Sequence, residues 1–235
     1  MNDDEFVKSD KDDAIVLFVK TPVKGAVKTR LAASLGDAEA LALYQCFVAD
    51  ALAMLTSTGR AARIYFYPAG DRELARAWLG GDWPLLAQTG ESLGERMKNA
   101  LTETFAAGFS RALVVGSDLP DLPAAIIHET FDLLRDHAAV IGPARDGGYY
   151  LIGFTAAGFL PEVFDGITWG TGTVLSETLR QFDARGITPR MLPVWRDMDT
   201  IDDLKALESD SRECAGPAAH TRKRLRNMIS NRRNS

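Results

Sequence analysis

The sequence predicts one α/β domain over about residues 12 to 209, with a mostly parallel central sheet flanked by helices. Three observations carry this reading. Short, β-branched apolar runs alternate with longer stretches of helical period. Glycine-, proline- or aspartate-rich turns follow the strand-like runs, and no internal repeat or clear interdomain linker breaks the order before residue 209. At 235 residues, with 46% hydrophobic and 25% charged residues, the chain is composed like a soluble globular protein and can bury a full core.

"AIVLFVK" (14 to 20) reads as a strand buried on both faces, and Pro22 and Gly25 punctuate the chain after it. "DAEALALYQCFVADALAMLTST" (37 to 58) repeats apolar residues at helical spacing, with Asp37 at its start and Gly59 at its stop. "ARIYFY" (62 to 67) has strand composition, "DRELARAWL" (71 to 79) is a short helix and "PLLAQT" (84 to 89) another short strand. Ser92 and Glu95 stand in capping-box register before a helix that ends at Gly108. "RALVVG" (111 to 116) is the next buried strand, followed by a helix over 124 to 136 and strands within 137 to 144 and 147 to 154. Residues 173 to 186 read as a helix, and the prolines in "ITPRMLPVW" (187 to 195) predict an edge strand. Thr200 and Asp203 again have capping-box spacing, with Asp in place of the usual Glu, around a helix over 201 to 208.

Charge divides the chain unevenly. Residues 211 to 235 carry seven Lys/Arg against one acid, Glu213, so the tail is net +6 and the body net −11. An acidic body argues against a nucleic-acid platform, so no specific nucleic acid is expected as a partner. The basic C-terminal extension (210 to 235), diluted by Gly, Pro, Ser and Asn, is expected to be partly disordered and dispensable for the site. Cys46 and Cys214 give no disulfide framework, and three histidines give no zinc spacing. The acidic, polar start is unlike a signal peptide, and no uninterrupted apolar stretch is long enough to span a membrane. A cytoplasmic location is the expectation.

Four stretches carry chemistry. "TPVKGAVKTRL" (21 to 31) gathers cations around Gly25 at a strand exit, where open α/β sheets bind ligands. It is not a P-loop, because Val27 rather than Gly precedes Lys28. Gly25 permits close backbone approach, and Lys28 and Arg30 would point to one side if the segment is extended, ready to neutralise a diphosphate. They are expected to serve phosphates more than the fold. Asp118, in the run Ser117-Asp118-Leu119-Pro120 directly after "ALVVG", can hold Mg²⁺ or Mn²⁺ against phosphate oxygens, while Asp121 is available to cap the helix that follows. In "RDMDT" (196 to 200), Asp197 and Asp199 are expected to face apart, so that one of them meets Asp118. Thr200 is the better helix cap, which leaves Asp199 to be explained. In "GPARDGGYYLIG" (142 to 153), Gly147 and Gly148 allow close approach and Asp146 projects from the turn, as a base or sugar ligand or as part of an ordinary Asp-Gly hairpin. At most one of Tyr149 and Tyr150 is expected to line a pocket. "WGTGT" (169 to 173) combines an aromatic surface with glycines and hydroxyls, suited to border an acceptor pocket or to cap a helix.

The combination "FVKTPVKGAVKTRL", "GESLGERM", "GSDLP", "GPARDGGYYLIG", "WGTGTV" and "RDMDTIDDL", in this order, resembles a bacterial glycosyltransferase family of unknown function with the GT-A nucleotide-diphospho-sugar transferase fold. The resemblance covers roughly residues 14 to 208. More distantly, it extends to nucleotidyltransferases that activate molybdenum-cofactor precursors or phospholactate. It implies a nucleotide cleft lined by Lys20, Gly25, Lys28, Thr29, Arg30, Gly94 and Arg96. Asp118 matches the carboxylate assigned to a divalent ion, Mg²⁺ or Mn²⁺, with Asp199 the preferred second ligand. Asp146 and Lys28 are the catalytic candidates, and Asp146, Gly147, Gly148, Tyr149, Trp169 and Thr171 the acceptor-site candidates. The usual glycosyltransferase Asp-x-Asp motif is absent at this site, since residue 116 is Gly, which keeps a nucleotidyltransferase reading beside the glycosyltransferase one. Partners are then a nucleotide sugar or nucleoside triphosphate and a small-molecule acceptor. A third class, a non-enzymatic nucleotide-binding protein, would keep the basic loop without turnover.

Overall fold

Seven of the eight residues of strand β1 (Asp13–Lys20) are buried, as a strand covered on both faces must be. The computed structural model describes residues 12–80, 83–209 and 217–233. In it β1 pairs in parallel with β2 (Ala61–Tyr67) on one side and β4 (Arg111–Gly116) on the other. Strand β3 (Leu85–Ala87) extends the sheet beyond β2, and β5 (Ala139–Pro143), β6 (Tyr149–Thr155) and β7 (Arg190–Met191) complete it. The order is β3-β2-β1-β4-β6-β5-β7, parallel except for β6, which runs antiparallel to both neighbours. The sheet is therefore mostly parallel, and β7 lies at its edge, where the prolines around it are tolerated.

The reversal of β6 has a local cause. The turn joining it to β5 is a short hairpin, with Ala144 N–H donating to Gly148 O at 3.0 Å and Gly147 N–H to Ala144 O at 3.3 Å. Gly147 adopts φ 89°, and a Cβ there would lie 2.1 Å from the Gly172 carbonyl oxygen, so only glycine fits. Because β6 starts where β4 ends, the hairpin carrying Asp146 arrives at the carboxyl edge of the parallel strands.

Helices cover both faces. One face packs under α1 (Thr29–Leu35), α2 (Asp37–Thr58), α3 (Arg72–Leu79), α5 (Ala124–Leu133) and α7 (Ile201–Ser209), through buried residues such as Leu31, Phe47, Phe131 and Leu207. The other face packs under α4 (Leu93–Ala106) and α6 (Val174–Asp183), with Leu101, Phe154 and Phe182 fully buried. Helix α2 is long and apolar enough by length and composition to cross a membrane. Here it is a core helix whose Leu43, Phe47 and Leu55 face the sheet layer.

The tail corrects the sequence expectation. Within the segment expected to be partly disordered, Ala219–Arg233 forms helix α8, docked on α2. Asp50, buried on α2, accepts hydrogen bonds from His220 N (2.8 Å), Thr221 N (2.9 Å) and Thr221 Oγ1 (2.6 Å), satisfying the first amides of α8. Burial pushes the Asp50 carboxyl up, against those hydrogen bonds. Arg224 pairs with Glu39 at 2.7 Å, and Ala218 and Leu225 join the core. Charge count dominated the reading of the tail, and it hid an apolar stripe at helical spacing.

Truncation after Ser209 is therefore expected to lower the thermal midpoint, and Asp50→Ala to cost about 1–3 kcal/mol by leaving Thr221 and the α8 amides unpaired. Urea denaturation of both variants checks this. Wild-type midpoints in both would mean that α8 contributes nothing to the fold.

Candidate functional site

After β1 the chain turns through Gly25 (φ 79°) and reaches Lys28, whose φ 49° and ψ 47° are left-handed, before α1 begins at Thr29. Such a conformation is uncommon for a residue with a side chain. The segment is thus not extended, and Lys28 and Arg30 do not share a face by strand alternation. They still converge. The Lys28 side chain is only 4% exposed, and its Nζ lies 3.0 Å from Asp118 Oδ1 and 2.8 Å from Asp199 Oδ1. Arg30, 74% exposed, reaches Asp199 Oδ2 from outside at 3.5 Å. Burial acts to lower the Lys28 pKa, but the Asp118 and Asp199 carboxylates outweigh it and hold the ammonium above its ordinary value.

Asp118 follows β4, and its backbone carbonyl accepts Met198 N–H at 2.9 Å. That bond seats the segment 196–200 beside it. Met198 is fully buried in the core, while Asp197 and Asp199 both line the cleft. The expectation that they face apart is corrected, because residues two apart on an extended segment share a face. Burial, then the Asp118 and Asp146 charges, push the Asp197 carboxyl up to about 7 against the pull of Lys28, and Asp199 adds to the rise. Asp203 Oδ2 accepts Thr200 N–H at 2.8 Å while Thr200 Oγ1 accepts Asp203 N–H at 3.3 Å, so the expected capping box forms and leaves Asp199 free of that duty. Asp121 does not cap α5, whose N-cap position is Pro123 and which has no side-chain cap; it accepts Trp195 Nε1–H at 2.9 Å instead.

These groups occupy the middle of a cleft across the carboxyl edge of the sheet. A first chamber of about 400 Å³ takes in Lys20, Lys28, Thr29, Arg30, Arg96 and Asp118. Its lining also includes Gln88 and Tyr67, which the sequence does not single out. Gln88 is 6% exposed, and its Nε2 donates to Val19 O (3.2 Å) and Tyr65 O (2.8 Å), which fixes the amide and leaves Oε1 as an acceptor. The Arg96 guanidinium stacks 4.4 Å from the Tyr67 ring centroid. Gly25 and Gly94 are not among the described lining residues. Gly94 instead makes room for Trp169, whose ring would lie 2.4 Å from a Cβ there.

A second chamber, about 410 Å³, shares Arg30, Tyr149, Asp197 and Asp199 with the first and adds Asp146, Gly148, Trp169 and Thr171. Asp146 Oδ1 accepts Gly148 N–H at 2.9 Å, so the Asp-Gly turn is real and the side chain still borders the chamber. Trp169 meets Tyr149 edge-on, at 6.3 Å and 81°. Both Tyr149 and Tyr150 border the cleft, against the expectation of at most one. They lie on opposite sheet faces, but the cleft runs over the strand ends and touches both. Gly147 packs on Gly172 behind the rim.

Among the described residues, no group of three His, Cys, Asp or Glu side chains stands ready to hold a metal ion. The donor chemistry nevertheless fits a hard divalent cation. Asp118 and Asp199 already share one positive group, the Lys28 ammonium, and Mg²⁺ is commonly held by one or two carboxylates together with phosphate oxygens and water.

The family described as "Uncharacterized protein conserved in bacteria (DUF2064)" matches residues 51–171. Among solved structures, a "putative nucleotide-diphospho-sugar transferase" from Desulfovibrio desulfuricans G20 is 38% identical with a TM-score of 0.87, over 93% of this chain and 95% of that one. The manganese complex of Rv0371c from Mycobacterium tuberculosis H37Rv is 15% identical (TM-score 0.53, 85% of this chain, 99% of that one). The inositol-1-phosphate CTP transferase from T. maritima is also 15% identical (TM-score 0.52, 81% and 90%). These last two share the fold alone. No curated protein matches the sequence.

In the ligand-free site Lys28 bridges the Asp118 and Asp199 carboxylates. Lys28→Met is expected to cost about 1–3 kcal/mol, less than the loss from a fully buried pair because Asp118 and Asp199 are partly open to water. Millimolar Mg²⁺ should recover much of that loss in Lys28→Met and change wild type little, as read by thermal melts with and without chelator. A melt unaffected by the substitution contradicts the bridging role.

Proposed function

This chain belongs to the bacterial DUF2064 family, with a GT-A-like fold related to nucleotide-diphospho-sugar and nucleotidyl transferases, and from that premise we propose that it moves a sugar from a nucleotide-diphospho-sugar donor to a small hydroxyl acceptor. The observation that carries this reading is the cleft itself. Asp199 borders both chambers and pairs with Lys28, which lines the first beside Asp118, so that in this reading a diphosphate laid in the first places its leaving bond at the mouth of the second. The 38%-identical relative's description points the same way.

In this reading the nucleotide base lies toward Gln88, Tyr67 and Arg96, where a fixed acceptor and a stacked cation meet an uncharged edge. Lys20, Lys28, Thr29 and Arg30 face the phosphates. Asp118 and Asp199 would hold Mg²⁺ or Mn²⁺, which supplies positive charge to the phosphate oxygens. With phosphate present the Lys28 ammonium turns from the carboxylates toward the developing negative charge of the leaving diphosphate. The acceptor hydroxyl oxygen forms its bond to sugar C1 as the bond from C1 to the diphosphate oxygen breaks, and Asp146 takes the hydroxyl proton or orients the group. The reading includes a cytoplasmic location.

One observation favours a second reading, nucleotidyl transfer with release of pyrophosphate: Gly116 leaves Asp118 as a lone carboxylate after the strand. A mass-spectrometric screen of nucleotide sugars and nucleoside triphosphates with Mg²⁺ or Mn²⁺ and mixed acceptors separates the readings. Free nucleoside diphosphate with a glycosylated product is expected, and Asp118→Asn should lower turnover at least ~100-fold with the thermal midpoint nearly kept. Pyrophosphate with a nucleotidylated product overturns the first reading. Nucleotide binding without any turnover leaves a non-enzymatic binding protein.

A further inference from the structure

We propose that the second chamber accepts a neutral, hydroxyl-bearing ring and rejects a phosphate group. The acceptor would then be a sugar or cyclic polyol presenting a free hydroxyl. The proposal rests on the reading that a nucleotide donor fills the first chamber, and it goes further by naming the class of acceptor.

Charge is the first argument. Three carboxylates, Asp146, Asp197 and Asp199, border the chamber against one cation, Arg30, and with Asp199 engaged by Lys28 or a metal ion Asp146 and Asp197 still line it. Arg30 is exposed and already stands 3.5 Å from Asp199. Asp197 supplies no positive charge in either protonation state. A phosphate entering here would meet like charges at close range with no dedicated cation to pair with it, which is how sites reject a wrong ligand. Lys28 lines the first chamber and not the second, where its ammonium pairs with Asp118 and Asp199, and in the proposed function it serves the donor's phosphates. Hydroxyl groups have the opposite relation to carboxylates, because each O–H is a donor and each carboxylate oxygen an acceptor.

Shape is the second argument. Trp169 forms one wall, held edge-on against Tyr149 and backed by Gly94, where any side chain would collide with the indole. Leu93, Met97 and Val174 continue the apolar lining. An apolar wall opposite a few fixed acceptors suits a ring with an apolar C–H face and a polar edge. Asp146 is held for that purpose by the Gly148 amide at 2.9 Å.

Saturation-transfer difference NMR tests this with full-length protein, Mg²⁺ and saturating nucleoside diphosphate. The probes are methyl glucoside, methyl mannoside and myo-inositol, each compared with its monophosphate at equal concentration. The neutral probes are expected to bind through their ring protons, with at least ten-fold preference over the phosphorylated partners. Trp169→Ala should cut their signal at least five-fold, while Trp169→Phe keeps most of it and controls for folding. Phosphorylated probes binding as well as or better than neutral ones, no signal from any neutral probe, or indifference to both Trp169 variants would each overturn the proposal. Nucleotide affinity is read separately in the same samples by its own proton signals. Lost nucleotide binding contradicts the proposed function, whereas retained nucleotide binding with a phosphate-preferring chamber contradicts only this inference.

Discussion

Two ionised carboxylates standing together at the end of a buried sheet repel each other unless positive charge lies between them, and in this protein the Lys28 ammonium supplies it for Asp118 and Asp199. That contact joins three distant parts of the chain: the exit of β1, the exit of β4 and the segment before α7. The left-handed backbone at Lys28 and the helix that begins immediately after it bring its side chain into the sheet edge. Burial alone would favour a neutral amine there, yet the two carboxylates keep it charged. The site thus already holds one cation between its carboxylates, and in the proposed function its charge balance changes when phosphates and a divalent ion enter.

The fold supplies this arrangement through backbone features more than through long side-chain networks. The hairpin between β5 and β6 turns one strand against the rest of the sheet and delivers Asp146 to the same edge as Asp118. One backbone hydrogen bond, from Met198 N–H to Asp118 O, sets Asp197 and Asp199 beside the end of β4 while Met198 anchors the segment in the core. Glycines act where two elements must touch: Gly147 on the Gly172 carbonyl, Gly94 under the Trp169 ring. The two chambers therefore share Arg30, Tyr149, Asp197 and Asp199, while the further cations Lys20, Lys28 and Arg96 line only the first.

Much of the fold was legible in the sequence because its strands and helices differ plainly in length and period. "AIVLFVK" and "RALVVG" are continuous apolar runs, and the Ser92–Glu95 and Thr200–Asp203 pairs mark helix starts that the structure contains. Asp118 was legible because a carboxylate directly after a buried strand has few structural reasons to be there. The facing of Asp197 and Asp199 was misjudged, since a two-residue spacing places both on one side of an extended segment. That Lys28 bridges Asp118 and Asp199 was not legible, because sequence does not reveal a left-handed residue at a helix start. Gln88 went unremarked: nothing in "PLLAQT" shows that its amide would be fixed by carbonyls from β1 and β2. The tail was misread for a related reason, since the partner of α8 is a buried aspartate far away in sequence, Asp50.

The central claim is that Asp118 and Asp199 hold a divalent ion when a nucleotide is bound and share Lys28 when it is not. Electron paramagnetic resonance of free Mn²⁺, titrated with protein and each of ADP, CDP, GDP and UDP, tests this directly. The account predicts that at least one nucleotide drives Mn²⁺ uptake by wild-type protein, with uptake lost in Asp118→Asn and in Asp199→Asn and retained in Lys28→Met. Undiminished Mn²⁺ uptake in Asp118→Asn, or no nucleotide-dependent uptake by wild type, would contradict it.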